Sequence, residues 1–254
     1  MIIRSLVLKT ELGLAATRGV ITDRGDYVVI TTPDDPGYYF GNLLLIPAAP
    51  QAGEVAFWTR RFREAFPDPA IKHVTLWWDS TTGDAGAEDE LAAAGFTLDR
   101  SVVLVAEQLD APPAALPIRE LSPAQVLDTA ELGWATGDRH DTNYLEFLQR
   151  RARWQSTLVR RGLATFYGAY DQGELVASLG LVPLDKLARY QDVQTAASHR
   201  KRGLAGAMLA AAARDLQAEH YVILSTPGSD AERLYRKCGF RLAEHTVAAC
   251  RRPG

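Results

Sequence analysis

Arg200-Lys201-Arg202-Gly203-Leu204-Ala205-Gly206 stands between a stretch of strand character and a stretch of helical character. Upstream, Arg189–Thr195 reads as a strand. Downstream, Gly203–Gln217 carries Leu204, Met208, Ala212 and Leu216 near helical spacing. Glycine lets backbone come close to a ligand because no Cβ stands in the way. The first amides of a helix have no intrahelical acceptor and, with the helix dipole, favour a bound anion. Arg200, Lys201 and Arg202 add local positive charge. A strand, a basic glycine turn and a helix start together make a candidate pyrophosphate cradle. The same turn also reads as a solvated basic loop with packing glycines, or as a short cationic cluster for backbone phosphate of nucleic acid. No aromatics interleave with it, which disfavours the nucleic-acid reading. It is neither a Walker loop nor the dinucleotide Gly-x-Gly-x-x-Gly fingerprint.

Working outward, the pattern alternates. Ser122 is expected to cap a helix running to Ala135, and Thr142–Arg160 reads as a second helix. Ala164–Ala169 and Leu175–Leu181 read as strands joined by the turn Asp171-Gln172-Gly173. After the basic turn and its helix come a strand at Tyr221–Ser225, a helix at Asp230–Lys237 and a strand at Phe240–Ala249. Toward the N-terminus, Asp110-Ala111-Pro112-Pro113-Ala114-Ala115-Leu116-Pro117 breaks the composition, since proline excludes helix and marks a connector. Before it lie strands at Tyr27–Thr31, Leu43–Ile46, His73–Trp78 and Val102–Ala106, with helices at Glu54–Phe66 and Glu88–Ala94. The expected architecture is α/β, an α+β mixed sheet, in two tandem units. Residues 1–110 form the first, 111–117 a linker and 118–254 the second. Gly95-Phe96 and Gly239-Phe240 each end a helix and feed a strand, a faint sign of duplication.

The formal net charge of −3 in 254 residues gives no global reason to expect nucleic acid or an anionic membrane as partner, so any anion site is local. Two cysteines, Cys238 and Cys250, make no disulfide framework and lack zinc-site companions, so no metal is expected. No apolar run reaches the length of a membrane span, and the N-terminus lacks a cleavage signal, so the expectation is a soluble cytoplasmic protein.

The turn does not stand alone. Arg200-x-x-Gly203-x-Ala205 resembles the (Gln/Arg)-x-x-Gly-x-(Gly/Ala) signature of the GNAT family, the Gcn-five-related N-acetyltransferases. Val193-Gln194-Thr195 resembles the family's strand leading into that turn. Ala231-x-x-Leu234-Tyr235-x-x-x-Gly239-Phe240 resembles its late helix and final Gly-Phe. The likeness covers roughly Leu116 to Ala249. The first unit matches in outline but has no such turn, so the whole chain resembles a tandem GNAT protein whose N-terminal copy has lost its cofactor loop. That copy is expected to shield or complete the acceptor pocket, or to serve as a scaffold.

The resemblance implies an N-acetyltransferase that carries an acetyl group from acetyl-CoA to a primary amine of a small molecule, peptide or protein. It implies that the backbone of Val193 and Thr195 pairs with the pantetheine arm, with Gln194 between them. Amides from Lys201 to Gly206 would hold the pyrophosphate, and an N–H near Val193 would stabilise the oxyanion. Tyr235 matches the tyrosine that protonates the leaving thiolate. Asp192, the one carboxylate of its strand, is the candidate base and shares a face with Gln194. Trp134, Asp138 and Asp141, between the first two helices, are candidates for the amine acceptor, although Asp141 also reads as a helix cap. His140 and His199 read as solvated or internally satisfied. Ser229 stands where the family often has asparagine and takes no catalytic role. The competing reading is a non-catalytic acyl-CoA sensor or assembly module, and the chain is expected to be a monomer or homodimer.

Overall fold

The computed structural model describes residues 1–253. The chain folds as two compact units, Met1–Val103 together with the segment from Ala243 onward, and Leu104–Leu242. This differs from the expected division into 1–110 and 118–254. The final strand, assigned from sequence to the second unit, belongs mainly to the first.

The first unit contains α1 (Leu6–Ala15), β1 (Val20–Asp23), β2 (Val28–Thr31), β3 (Leu43–Ile46), α2 (Val55–Ala65), β4 (Val74–Trp78), α3 (Glu88–Ala93), the start of β5 (Thr97–Ala106) and most of β11 (Arg241–Arg251). Its strands run in the order β1-β2-β3-β4-β11-β5. β3 and β4 are parallel, with Leu44 opposite Leu76. Every residue of both is buried, the uniform pattern of parallel strands covered on two faces. β11 is drawn in beside β4, antiparallel, with Ala248 opposite Trp77. The indole Nε1–H of Trp77 donates to Thr246 Oγ1 at 2.8 Å. Val247 to Cys250 are buried there, which gives this apolar run its cover. On α2, Val55 and Phe62 are buried and Trp58 packs half-buried against the same core.

The helix α1 has no counterpart in the sequence reading. Its N-terminus is closed by Glu244, whose Oε1 accepts from Leu6 N at 2.7 Å and whose Oε2 accepts from Ser5 Oγ at 2.7 Å. Asp79 accepts from the Arg4 and Ser5 amides at 2.9 and 2.8 Å. Both partners are distant in sequence, and Ser5 itself makes no side-chain cap.

The second unit contains β6 (Ile118–Glu120), α4 (Thr129–Thr136), α5 (Thr142–Arg160), β7 (Thr165–Asp171), β8 (Glu174–Leu184), β9 (Leu187–Thr195), α6 (Leu204–Leu216), β10 (His220–Ser225) and α7 (Asp230–Lys237). Strand order is β10-β9-β8-β7-β6. β7, β8 and β9 form an antiparallel meander, and β10 returns parallel to β9 after the α6 crossover. The β7–β8 turn uses positive φ at Gln172 (49°) and Gly173 (89°), the two-residue hairpin geometry that its sequence suggested. Ser122 Oγ accepts the Gln125 amide at 3.4 Å just ahead of a 3-10 turn at Gln125–Asp128, whose N-cap position is Ala124, and α4 starts only at Thr129. The expected helix from Ser122 is therefore two pieces. Among the described residues, no helix is long and apolar enough to cross a membrane, and no cluster of His, Cys, Asp and Glu could hold a metal ion.

Candidate functional site

β9 pairs with β8 from Leu187 to Thr195. Its parallel ladder with β10 covers only Leu187, Ala188 and Arg189. Beyond Arg189 the two strands part, and Gln191 to Thr195 are only half-buried. A wedge opens at the carboxyl ends of two parallel strands, the place where open α/β sheets receive ligands.

The chain leaves β9 into the basic turn at the mouth of this wedge. Arg200 Nε donates to the Thr195 carbonyl at 3.2 Å and ties the turn to the strand end. His199 is internally satisfied. Its Nε2 lies 3.0 Å from Asp171 Oδ2 and its Nδ1 2.9 Å from Ser198 Oγ. Lys201 (φ 62°) and Gly203 (φ 77°) both adopt left-handed backbone, which reverses the chain so that α6 starts at Leu204. No side chain caps α6. Ala207 is the amide that closes the first helical turn, donating to Gly203 O at 3.0 Å, so helix geometry leaves Leu204, Ala205 and Gly206 N–H without intrahelical acceptors. Lys201, Arg202 and Gly203 are exposed, and a Cβ on Gly203 would meet nothing within 4 Å. Leu204 is buried and anchors the helix. A Cβ on Gly206 would lie 3.2 Å from Cys238 Sγ and 3.9 Å from Leu234 Cδ1, so the absence of a side chain lets α6 sit tightly beside α7. The residues from Arg200 to Gly206 thus form one open, uncapped, cationic helix start.

Val193, Gln194 and Thr195 form the end of β9 beside this mouth. The strand is not regular there. Ser178 of β8 faces Gln194 and Gly180 faces Gln191, so Leu179 spans both Asp192 and Val193. Asp192 carries φ 47°. Two residues against one is a β-bulge, and it turns the backbone at the point where the wedge opens. Asp192 is not the free carboxylate expected of a base. Its Oδ1 is ion-paired with Arg151 Nη1 at 2.7 Å, and its Oδ2 accepts a hydrogen bond from Gln155 Nε2. The shared face of Asp192 and Gln194 holds in outline, since both side chains reach the α4–α5 pair. A Cβ on Gly133 of α4 would lie 3.5 Å from both Gln194 Nε2 and Arg151 Nη2.

Tyr235, on α7, is 5% exposed, and burial pushes its hydroxyl up to about 12. It therefore stays protonated at neutral pH. Ring contacts of 6.0 Å link Tyr235 to Phe240 and Phe240 in turn to Tyr190 of β9. Ser229 caps α7, accepting the Glu232 amide at 3.1 Å, in keeping with its exclusion from the catalytic set.

At the connection between α4 and α5, Trp134 packs edge-on against His140 at 4.9 Å and lies 6.5 Å from Tyr144, which stacks on Phe147 at 6.2 Å. Asp138 is exposed. Asp141 is the cap of α5, accepting the Tyr144 amide at 3.0 Å. Arg139, 2.8 Å away, holds its carboxyl below the usual carboxylate range. Tyr144, Phe147, Arg151 and Gln155 were not read from the sequence as site residues. Their spacing along one stripe of α5 is a usable signal, but it is also the spacing of an ordinary core-facing helix.

The first unit has a corresponding helix start and furnishes it differently. Gly53 (φ 87°) precedes α2, but Glu54 Oε2 accepts the Gln51 amide at 2.9 Å and Glu90 Oε2 accepts the Gly53 amide at 2.7 Å.

Residues 162–242 match the family model described as an acetyltransferase (GNAT) domain. No curated protein matches the sequence. Among solved structures, a conserved protein of unknown function from Staphylococcus epidermidis superposes with a TM-score of 0.77 at 11% identity, over 92% of this chain and 94% of that one. A GCN5-related N-acetyltransferase from Kribbella flavida gives 0.67 at 18% identity, over 100% and 98%. A tandem GNAT protein from the clavulanic acid biosynthesis pathway gives 0.55 at 14% identity, over 83% and 74%. At these identities the likeness is one of fold.

Proposed function

We propose that the protein transfers an acetyl group from acetyl-CoA to a primary amine by direct attack, since residues 162–242 match a GNAT acetyltransferase domain and the fold is similar to that of a tandem GNAT protein. The observation that carries this reading is the uncapped start of α6, flanked by three cationic side chains, at the end of the wedge between β9 and β10.

In this reading the amides of Lys201 to Gly206 hold the pyrophosphate, with Arg200, Lys201 and Arg202 adding charge. The exposed β9 edge at Val193 and Thr195 receives the pantetheine amides as a further strand would. Val193 N–H, at the bulge, faces the thioester carbonyl and stabilises its developing negative charge. The amine nitrogen forms its bond to the carbonyl carbon as the carbon–sulfur bond breaks. Tyr235, kept protonated by burial, donates its proton to the departing sulfur. The acceptor's proton leaves to water, because both oxygens of the Asp192 carboxylate are already engaged by Arg151 and Gln155. Trp134, Tyr144 and Phe147 give the acceptor an apolar wall, with the exposed Asp138 at its rim drawing in a cationic amine. The acceptor is a small molecule or a peptide or protein amine, the protein is a cytoplasmic monomer or homodimer, and nucleic acid is not a partner.

Two measurements test this. Calorimetry should show coenzyme A binding and no RNA binding. Thiol release from acetyl-CoA across a panel of primary amines should exceed the amine-free rate for at least one of them. Tight coenzyme A binding without amine-dependent thiol release would favour the sensor module instead, and no coenzyme A binding would end both readings.

A further inference from the structure

Asp192 is an L-residue with φ 47° inside a strand. The left-handed region costs a non-glycine residue a factor of roughly five to a hundred or more in population, so something must hold it there. The support comes from α5, where Arg151 and Gln155 stand one helical turn apart and take one oxygen each of the Asp192 carboxylate. Gln155 is 1% exposed and rests against Thr129, whose Oγ1 lies 3.5 Å from its Oε1 and donates to the Val126 carbonyl at 2.7 Å. Arg151 lies with its guanidinium 5.5 Å from the Phe147 ring. Both clamp residues are therefore fixed by their own neighbours.

We infer that Arg151 and Gln155 are positioning residues which hold the Asp192 bulge so that the Val193 amide points into the β9–β10 wedge. The inference rests on the acyl-transfer reading for what that amide does, but the clamp itself is a matter of backbone conformation. It also gives α5 two tasks. The first half of the helix carries Tyr144 and Phe147 of the acceptor wall, and its next turns set the hydrogen-bond donor for the thioester.

Amide NMR of the full chain tests it without a known acceptor. In the unaltered protein, acetyl-CoA and coenzyme A should shift the amides of Lys201–Gly206 alike, while Val193 should respond to both and show an additional shift with acetyl-CoA that coenzyme A does not produce. In Gln155→Leu and in Arg151→Met the acetyl-specific shift at Val193 should fall by at least about fourfold, with the loop amides responding as before. Arg151→Lys should retain part of it. Asp192→Gly combined with Gln155→Leu should restore it, because glycine adopts φ 47° without a clamp. A variant that merely failed to fold would lose the loop response as well, and the restoring double substitution separates strain from general damage. Undiminished Val193 discrimination in both single variants overturns the clamp. Absence of any loop response to coenzyme A in the unaltered protein instead overturns the acyl-transfer reading beneath it.

Discussion

The helices α2 and α6 begin in the same way and differ in what surrounds the beginning. Each follows a parallel-paired strand, and each is preceded by a left-handed glycine, Gly53 at φ 87° and Gly203 at φ 77°. At Gly53 two glutamates accept the amides of Gln51 and Gly53. Neither α2 nor α6 has a side-chain cap of its own, and at Gly203 Arg200, Lys201 and Arg202 lie alongside. A carboxylate near a helix start satisfies amides of the preceding turn and the helix dipole from within the protein. An empty, cation-flanked start leaves both for a ligand. The two helix starts thus differ in a few side chains on one shared backbone device. That is why the first unit keeps the fold without the signature turn.

Transplanting the plug is the most direct way to break the comparison. Arg202→Glu with Ala205→Glu should place carboxylates at the α6 start and remove one cation. Coenzyme A affinity should fall by about a thousandfold or more at low salt, read by calorimetry, since like charge meets phosphate at close range. Circular dichroism should show the helix content retained. Affinity within tenfold of the unaltered protein would mean that the pyrophosphate does not rest there.

Tyr235→Phe sharpens the comparison at the chemical end, because four residues before its own Gly95-Phe96 the first unit has Leu91 where the second has Tyr235. Removing a general acid should lower amine-dependent kcat by about a hundredfold, with KM for acetyl-CoA unchanged. The pH profile adds a second check. A phenol raised to about 12 stays protonated through pH 10, so the unaltered enzyme should show no loss of rate from this group on the alkaline side up to that pH. Equal turnover by the phenylalanine variant would leave Tyr235 as packing for Phe240.

The legibility of these features in the sequence follows how local their causes are. The turn at Arg200–Gly206, the helix Thr142–Arg160 and the hairpin at Asp171-Gln172-Gly173 depend on residues within a turn of one another, and they could be read directly. The helix α1 could not, because its cap is Glu244, 238 residues away. The same distance hides the placement of β11. Its apolar run is plain in the sequence, but nothing local says that it lies against Leu76 and Trp77. In the candidate site, the cradle was legible because backbone and charge make it. The commitment of Asp192 was not, since Arg151 and Gln155 reach it from another element across the fold. Asp141 shows the converse: its cap role was written in the local sequence and is what the structure contains.

Glu244→Gln tests the nonlocal cap. The carboxylate is 8% exposed and accepts from Ser5, Leu6 and Val7, so replacing it removes charge-assisted bonds at a buried helix start. The loss should be about 2 kcal/mol, or roughly 4–8 °C in the Tm of whatever melts with α1. Coenzyme A affinity should not change, because the cap and the cradle belong to different units.

The smallest effect is the most pointed one for the paired helix starts. Glu54→Gln with Glu90→Gln removes the negative charges around Gly53 while keeping amide oxygens that can accept the same hydrogen bonds. Stability should shift by only about 3 °C or less, since both contacts are at the surface. Calorimetry should still find one coenzyme A site per chain. Freeing the plug supplies neither the cations nor a parted strand pair: β3 runs beside β4 to Ile46 opposite Trp78, the last residue of each strand. A second site in this variant would mean that charge alone had separated the two units. Its absence would mean that the splayed strands matter as much as the open helix start.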